Sequence, residues 1–157
     1  MNMKDMVEFI KKHEGFRNNV YIDPLQINRF SKDEIQWFDK NRDALNLTIG
    51  YGTLMEDVDE GLATLMLEYR LSQKINEVNK EFAYLNITHE EVWDMLYMMS
   101  YQLGVTGIKK FKKMLEAIRV KDHRETYRQA MDSKWYSQTP NRATEVIDLL
   151  QPLIRRI

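Results

Sequence analysis

MKDMVEFIKKHEGFRNNVYID, residues 3–23, is the stretch whose reading decides the fold, and LTIGYGT at 47–53 completes it. Met3, Met6, Val7 and Ile10 recur at i, i+3, i+4 and i+7, the spacing of one face of an amphipathic helix. Gly15 supplies the signal that ends that helix. Glu14 therefore falls in a last helical turn, where the negative end of the peptide dipole disfavours its charged form. Val20, Tyr21 and Ile22 read as a short extended segment, and Pro24 halts regular structure directly after Asp23, leaving that carboxylate at a solvated loop edge. Cleaving a sugar acetal needs such a pair: one carboxyl that gives a proton to the leaving oxygen, and one that activates water or attacks the ring. In a chain with 30% charged residues two acids are ordinarily surface groups, so the pair takes its meaning from its surroundings.

Those surroundings are specific. HEGFR at 13–17, the Y-x-D of Tyr21 to Asp23, and TIGYG at 48–52 are joined far downstream by Tyr101-Gln102-Leu103-Gly104 with Thr106-Gly107, and by KWYSQTPNRA at 134–143. In these segments the chain resembles the phage-type lysozymes of the T4 endolysin kind, glycoside hydrolases of bacterial peptidoglycan. The resemblance implies Glu14 as general acid, Asp23 as second carboxylate and Thr48 as a hydroxyl that helps hold the attacking water. It places Leu54, Tyr101 and Gln102 along the substrate cleft and Arg142 near the general acid. A guanidinium there would orient Glu14 but lower its pKa, against the effect of burial. The implied reaction inverts the anomeric centre, for which carboxyl groups stand about 6.5 to 9.5 Å apart. The implied substrate bond is the β-1,4 link between N-acetylmuramic acid and N-acetylglucosamine, and the implied setting is lysis of a host bacterium.

The fold expected is α+β and mostly helical, a lysozyme-like two-lobe arrangement over residues 1–157. The N-terminal catalytic lobe would run from about 12 to 60 and contain a small β-hairpin. A long linking helix would lead to a helical C-terminal lobe at about 81–157, joined by helix 1–11. Two departures from the family pattern stand out. Thr53 occupies a position where the family usually has histidine, which bears on a salt bridge more than on chemistry. The larger departure is the 24 residues between Asp23 and Thr48, where typical members have a tight turn.

This insertion, at about 25–47, reads as a small helix from Ser31 to Asn41. Ser31 and Glu34 form a capping box, and Ile35 and Phe38 a short apolar face. Its Phe30 and Trp37 either anchor it to the N-terminal lobe or wall the cleft. Further along, Asp57 or Asp59 can cap a long helix to about Lys80 with Leu62, Leu65, Met66, Tyr69 and Ile75 inward. Thr88 with Glu91 makes a capping box before the apolar positions Val92, Met95, Leu96 and Met99, and Ile108, Phe111, Leu115 and Ile118 repeat helically. Asp122 with Glu125 caps the next helix, and Thr139 with Pro140 opens the last, with Val146, Ile147 and Leu150 inward. The ten methionines read as adaptable core fillers.

Composition agrees with one compact enzyme. A chain of 157 residues buries about 70% of its unfolded surface. The absence of cysteine fits a reducing compartment. No run of about 18 apolar residues occurs, and the amphipathic N-terminus is unlike a signal peptide. The chain is thus expected in the cytoplasm without an export route of its own, and the resemblance implies a host bacterium in which a phage holin releases it to the periplasm and cell wall. Monomer is the default state. Residues 1–60 hold 8 Lys or Arg against 12 Asp or Glu, and residues 61–157 hold 15 against 12, so an acidic lobe would face a basic one across an anionic glycan. Lys109, Lys110, Lys112 and Lys113 around Phe111 read as a solvated helix face. The near-neutral charge and lack of a binding motif argue against nucleic acid.

Other chemistry has little basis. His13, His89 and His123 share no metal-ligand spacing, Gly50-Tyr51-Gly52 lacks the rest of a dinucleotide site, and no cysteine or G-x-S-x-G offers a nucleophile. No cofactor or metal is expected. Two alternatives accompany the hydrolase reading: a lytic transglycosylase, in which the muramic acid closes on itself, and a non-catalytic wall-binding or interaction protein on the same fold.

Overall fold

A computed structural model of the chain describes residues 1–15, 31–41, 48–49, 53–54 and 59–155. The described part is mostly helical: α1 (Met3–Glu14), α2 (Lys32–Asn41), β1 (Thr48–Ile49), β2 (Thr53–Leu54), α3 (Glu60–Phe82), α4 (Glu90–Ile108), α5 (Lys112–Arg119), α6 (His123–Met131), α7 (Lys134–Gln138), α8 (Pro140–Ile147) and α9 (Gln151–Arg155). Single 3₁₀ turns at Ala83–Leu85 and Asp148–Leu150 follow α3 and α8. The chain divides into two compact units, Met1–His13 with Leu67–Ile157, and Glu14–Met66.

The first unit is built around α4. Val92, Met95, Leu96, Met98 and Met99 bury more than one face of this helix, as expected of a core helix packed on several sides. Met6, Val7 and Ile10 of α1, Leu71, Val78 and Phe82 of α3, and Val146 and Ile147 of α8 join the same cluster. Full burial of a side chain such as Leu71 or Phe82 contributes roughly 1.5–3 kcal/mol. The terminal ammonium of Met1 pairs with the buried carboxylate of Asp94, so this acid is not left unpaired inside. Buried Met6, Met95, Met98, Met99 and Met114 are core fillers, as the sequence suggests.

Element boundaries follow local chemistry. Gly15 has φ +71° and ends α1. Asp59 caps α3, its Oδ1 accepting from the Leu62 N–H at 2.7 Å. Asp122 caps α6 through the Glu125 N–H at 2.9 Å, and Pro140 holds the first position of α8.

Three readings of the sequence are corrected. The expected inward face of α3 is out of phase over its first turns: Leu62, Leu65 and Tyr69 are exposed, and the packed stripe is Leu67, Leu71, Ile75, Val78 and Phe82, of which the sequence pattern places Ile75 inward. Apolar residues lie on both sides of this helix, so periodicity alone selected the wrong stripe. The Thr88–Glu91 capping box does not form; α4 starts one residue later, with His89 at its N-cap and no side-chain cap. Phe111 is the N-cap of α5 rather than part of a helical run from Ile108, because α4 ends at Ile108.

In the second unit, α2 occupies the insertion close to its expected span. β1 and β2 pair antiparallel with Thr48 opposite Leu54 and Ile49 opposite Thr53. The connection between them, the segment Val20 to Ile22 and the flanks of α2 lie outside the described residues.

Candidate functional site

In the second unit, the helical path of α1 delivers Glu14 to its last position, exposed to solvent, immediately before the left-handed Gly15. Burial among apolar groups, which the acid role suggested for it, is not seen. Thr48 and Leu54, expected for different reasons, are brought opposite one another by the strand register. Asp23 lies outside the described residues.

The turn preceding Glu14 is held by a contact that the sequence does not announce. Glu145 on α8 accepts from Lys12 Nζ at 2.8 and 2.9 Å, and His13 Nε2 lies 3.4 Å from the same carboxylate. The Lys12 ammonium keeps the Glu145 carboxyl below its ordinary pKa. The His13 ring also packs on Phe9, with centroids 4.6 Å apart. These contacts join α1 to α8 across 132 and 133 residues in sequence, separations at which no pattern could have revealed them.

Among the remaining sequence-predicted positions, Tyr101, Gln102 and Arg142 belong to the first unit. Tyr101 and Gln102 are half-buried near the end of α4, just before its path breaks at Gly104, where φ is 65° and ψ is 167°. This conformation is essentially confined to glycine. The Gln102 amide oxygen accepts from the indole N–H of Trp135 at 2.7 Å. That bond orients the amide, leaving its NH₂ as a donor on the other side. Trp135 is 5% exposed and meets the ring of Phe111 edge to face at 6.4 Å. Arg142, on the first turn of α8, is 9% exposed.

Gln102, Phe111 and Trp135 line a cavity of about 730 Å³ within this unit. Trp135 lies in the 134–143 motif and Phe111 among the lysines of 109–113, positions that give neither a role in a site. A buried indole whose N–H needs an acceptor was the available signal for the Trp135 partnership. Among the described residues no group of three His, Asp or Glu side chains is placed to hold a metal ion, and no helix is long and apolar enough to cross a membrane.

Comparison with known proteins gives a partial relation. No family model matches the chain. Over 48 residues, 31% of its length, it is 44% identical to the pre-baseplate central spike protein of Enterobacteria phage T4. The match spans 8% of that spike protein. Over this segment the chain is similar to a protein of a phage.

Proposed function

We propose that this chain is a peptidoglycan hydrolase of the muramidase type, a lysozyme-like molecule with two lobes and a small hairpin carrying Thr48 and Leu54. The observation that carries the proposal is the Gln102–Trp135 hydrogen bond. It joins, across 33 residues, two of the segments that carry the resemblance to phage-type lysozymes, one of them with the cleft residue Gln102, next to a backbone break that requires Gly104. In this reading Glu14 protonates the leaving glycosidic oxygen. Asp23 takes a proton from a water positioned by the Thr48 hydroxyl, and that water attacks the anomeric carbon from the opposite face, with inversion. Tyr101, Gln102 and Leu54 bind the glycan, and Arg142 supplies positive charge toward the acid.

Clearing of outer-membrane-stripped peptidoglycan tests this directly. Glu14→Gln and Asp23→Asn are each expected to lower the rate by about 100-fold or more, the scale of a general acid or base. Mass spectrometry of the products should show reducing ends, whereas closed muramic acid rings would indicate transglycosylation. The similarity to a central spike protein favours a second reading of context, in which the chain works as part of a phage particle rather than as a free lysis enzyme released by a holin. Antibodies to the chain should then label purified phage particles. If the protein bound wall material while wild type and Glu14→Gln were equally inert, the non-catalytic binding reading would replace the enzymatic one.

A further inference from the structure

Lys12, His13 and Glu14 are the last three residues of α1, directly before the left-handed Gly15. At about 100° per residue, Lys12 and Glu14 leave the helix on nearly opposite sides, so a group that holds Lys12 stands away from the Glu14 carboxyl. That group is Glu145. Its two oxygens accept from Lys12 Nζ at 2.9 and 2.8 Å, and His13 Nε2 stands 3.4 Å from one of them. Glu145 is carried by α8, whose Ala143, Val146 and Ile147 are buried in the core, so the carboxylate has a fixed support. The hydrogen bonds from Lys12 hold its carboxyl below the ordinary range, and it is ionised at neutral pH. One carboxylate therefore ties two consecutive residues to the core where the chain passes from the first unit into the second, between His13 and Glu14.

A general acid at this position needs such a tie. The last turn of a helix lacks onward partners for its carbonyls and is the first part to fray. Glu14 is exposed, and among the described residues nothing stands within 4 Å of where a Cβ on Gly15 would be, so packing does not brace the backbone there. Proton transfer requires a heavy-atom separation of about 2.6–3.2 Å, a tolerance that a fraying turn exceeds. Stability is not what the contact provides. The Lys12 and Glu145 side chains are 63% and 40% exposed, and ion pairs so open to solvent add little to it.

We propose that Glu145 is a positioning residue for the Glu14 general acid: by holding Lys12 and His13 it fixes the last turn of α1, and hence the place from which Glu14 reaches the glycosidic oxygen. The role rests on the muramidase reading. It adds to that reading a residue that touches no substrate and lies outside the positions the resemblance assigns.

Steady-state hydrolysis of soluble peptidoglycan oligomers, with thermal unfolding of the same proteins, tests it. Glu145→Ala should lower kcat about tenfold or more, since a displacement on the order of 1 Å at a reacting group costs up to about 100-fold. KM should stay within about twofold, because the tie is not a substrate contact. The thermal midpoint should move by less than about 3 °C. Lys12→Met should also lower kcat, and Lys12→Arg, which keeps the pair, should lose less. The Lys12→Met/Glu145→Ala double variant should be no slower than Glu145→Ala, because both changes remove one contact. Hydrogen exchange at the Lys12 to Gly15 amides should accelerate in Glu145→Ala while that of Met95 to Met99 stays unchanged. If the wild type cleaves, Glu14→Gln does not, and Glu145→Ala keeps full kcat, the positioning role is overturned and the muramidase reading stands. Losses in kcat that track a falling thermal midpoint, a rise in KM alone, additive losses in the double variant, or unchanged exchange in the last turn overturn it as well. A wild type as inert as Glu14→Gln would instead remove the muramidase reading itself, and the positioning role with it.

Discussion

At Gly104 a single residue decides the course of the chain. A Cβ placed there would meet nothing within 4 Å, so any penalty for substitution comes from the backbone alone. Because φ 65° with ψ 167° is closed to side-chain-bearing residues, Gly104→Ala should lower stability by about 1–3 kcal/mol. In urea unfolding the midpoint should fall with an unchanged slope; an unshifted midpoint would mean that the break is not imposed at this residue. The Gln102–Trp135 bond is testable by a similar argument. Trp135→Phe retains a ring but deprives the half-buried amide oxygen of its donor, which should cost about 1–3 kcal/mol. Adding Gln102→Leu should recover part of that loss, whereas strictly additive losses would show that the bond contributes nothing. Residue types at both positions were legible in the sequence because the motif is dense there. Their partnership was not, since hydrogen bonding across 33 residues leaves no local trace.

Among the elements, those with a chemical cap were the legible ones. Asp59, Asp122, Pro140 and Gly15 each mark an end where the sequence suggests it, because a side chain or a permissive backbone acts within three residues. Asp122→Ala should therefore cost about 1 kcal/mol by thermal unfolding. Where tertiary contacts choose, the pattern misleads, as in the phase of α3 and the start of α4. His89, at that start, meets His123 on α6 edge to face with centroids 5.0 Å apart. Burial is the main force holding the His123 imidazole below its ordinary pKa of 6.5; His89 adds to it, and Asp122 and Glu91 oppose it. The depressed value means that the unfolded chain binds the proton more readily. Stability from this group is accordingly present above about pH 6.5 and declines as pH falls from there through the folded-state value. A His123→Phe protein should show a flatter pH–stability curve below pH 6.5 than the wild type; an identical slope would exclude His123 as the source.

For the molecule as a whole, the distribution of burial sets what opens first. Among the described residues, every buried apolar side chain belongs to the first unit. On α2, Lys32, Asp33, Gln36 and Lys40 are exposed and Ile35 is half-buried. A helix of 10 residues has little stability of its own, since nucleation is unfavourable and packing normally supplies the difference. The amides of Met95 to Met99, set in the core on α4, can exchange with solvent only when the core itself opens. Native-state hydrogen exchange should therefore show α2 amides at least about 100-fold less protected than those of α4, because local opening needs far less free energy than global unfolding. Denaturant should accelerate α4 exchange steeply and leave α2 exchange nearly unchanged, the signature of opening that exposes little surface. Equal protection with equal denaturant slopes would instead mean that α2 unfolds together with the core, and that the insertion contributes to the stability of the whole chain.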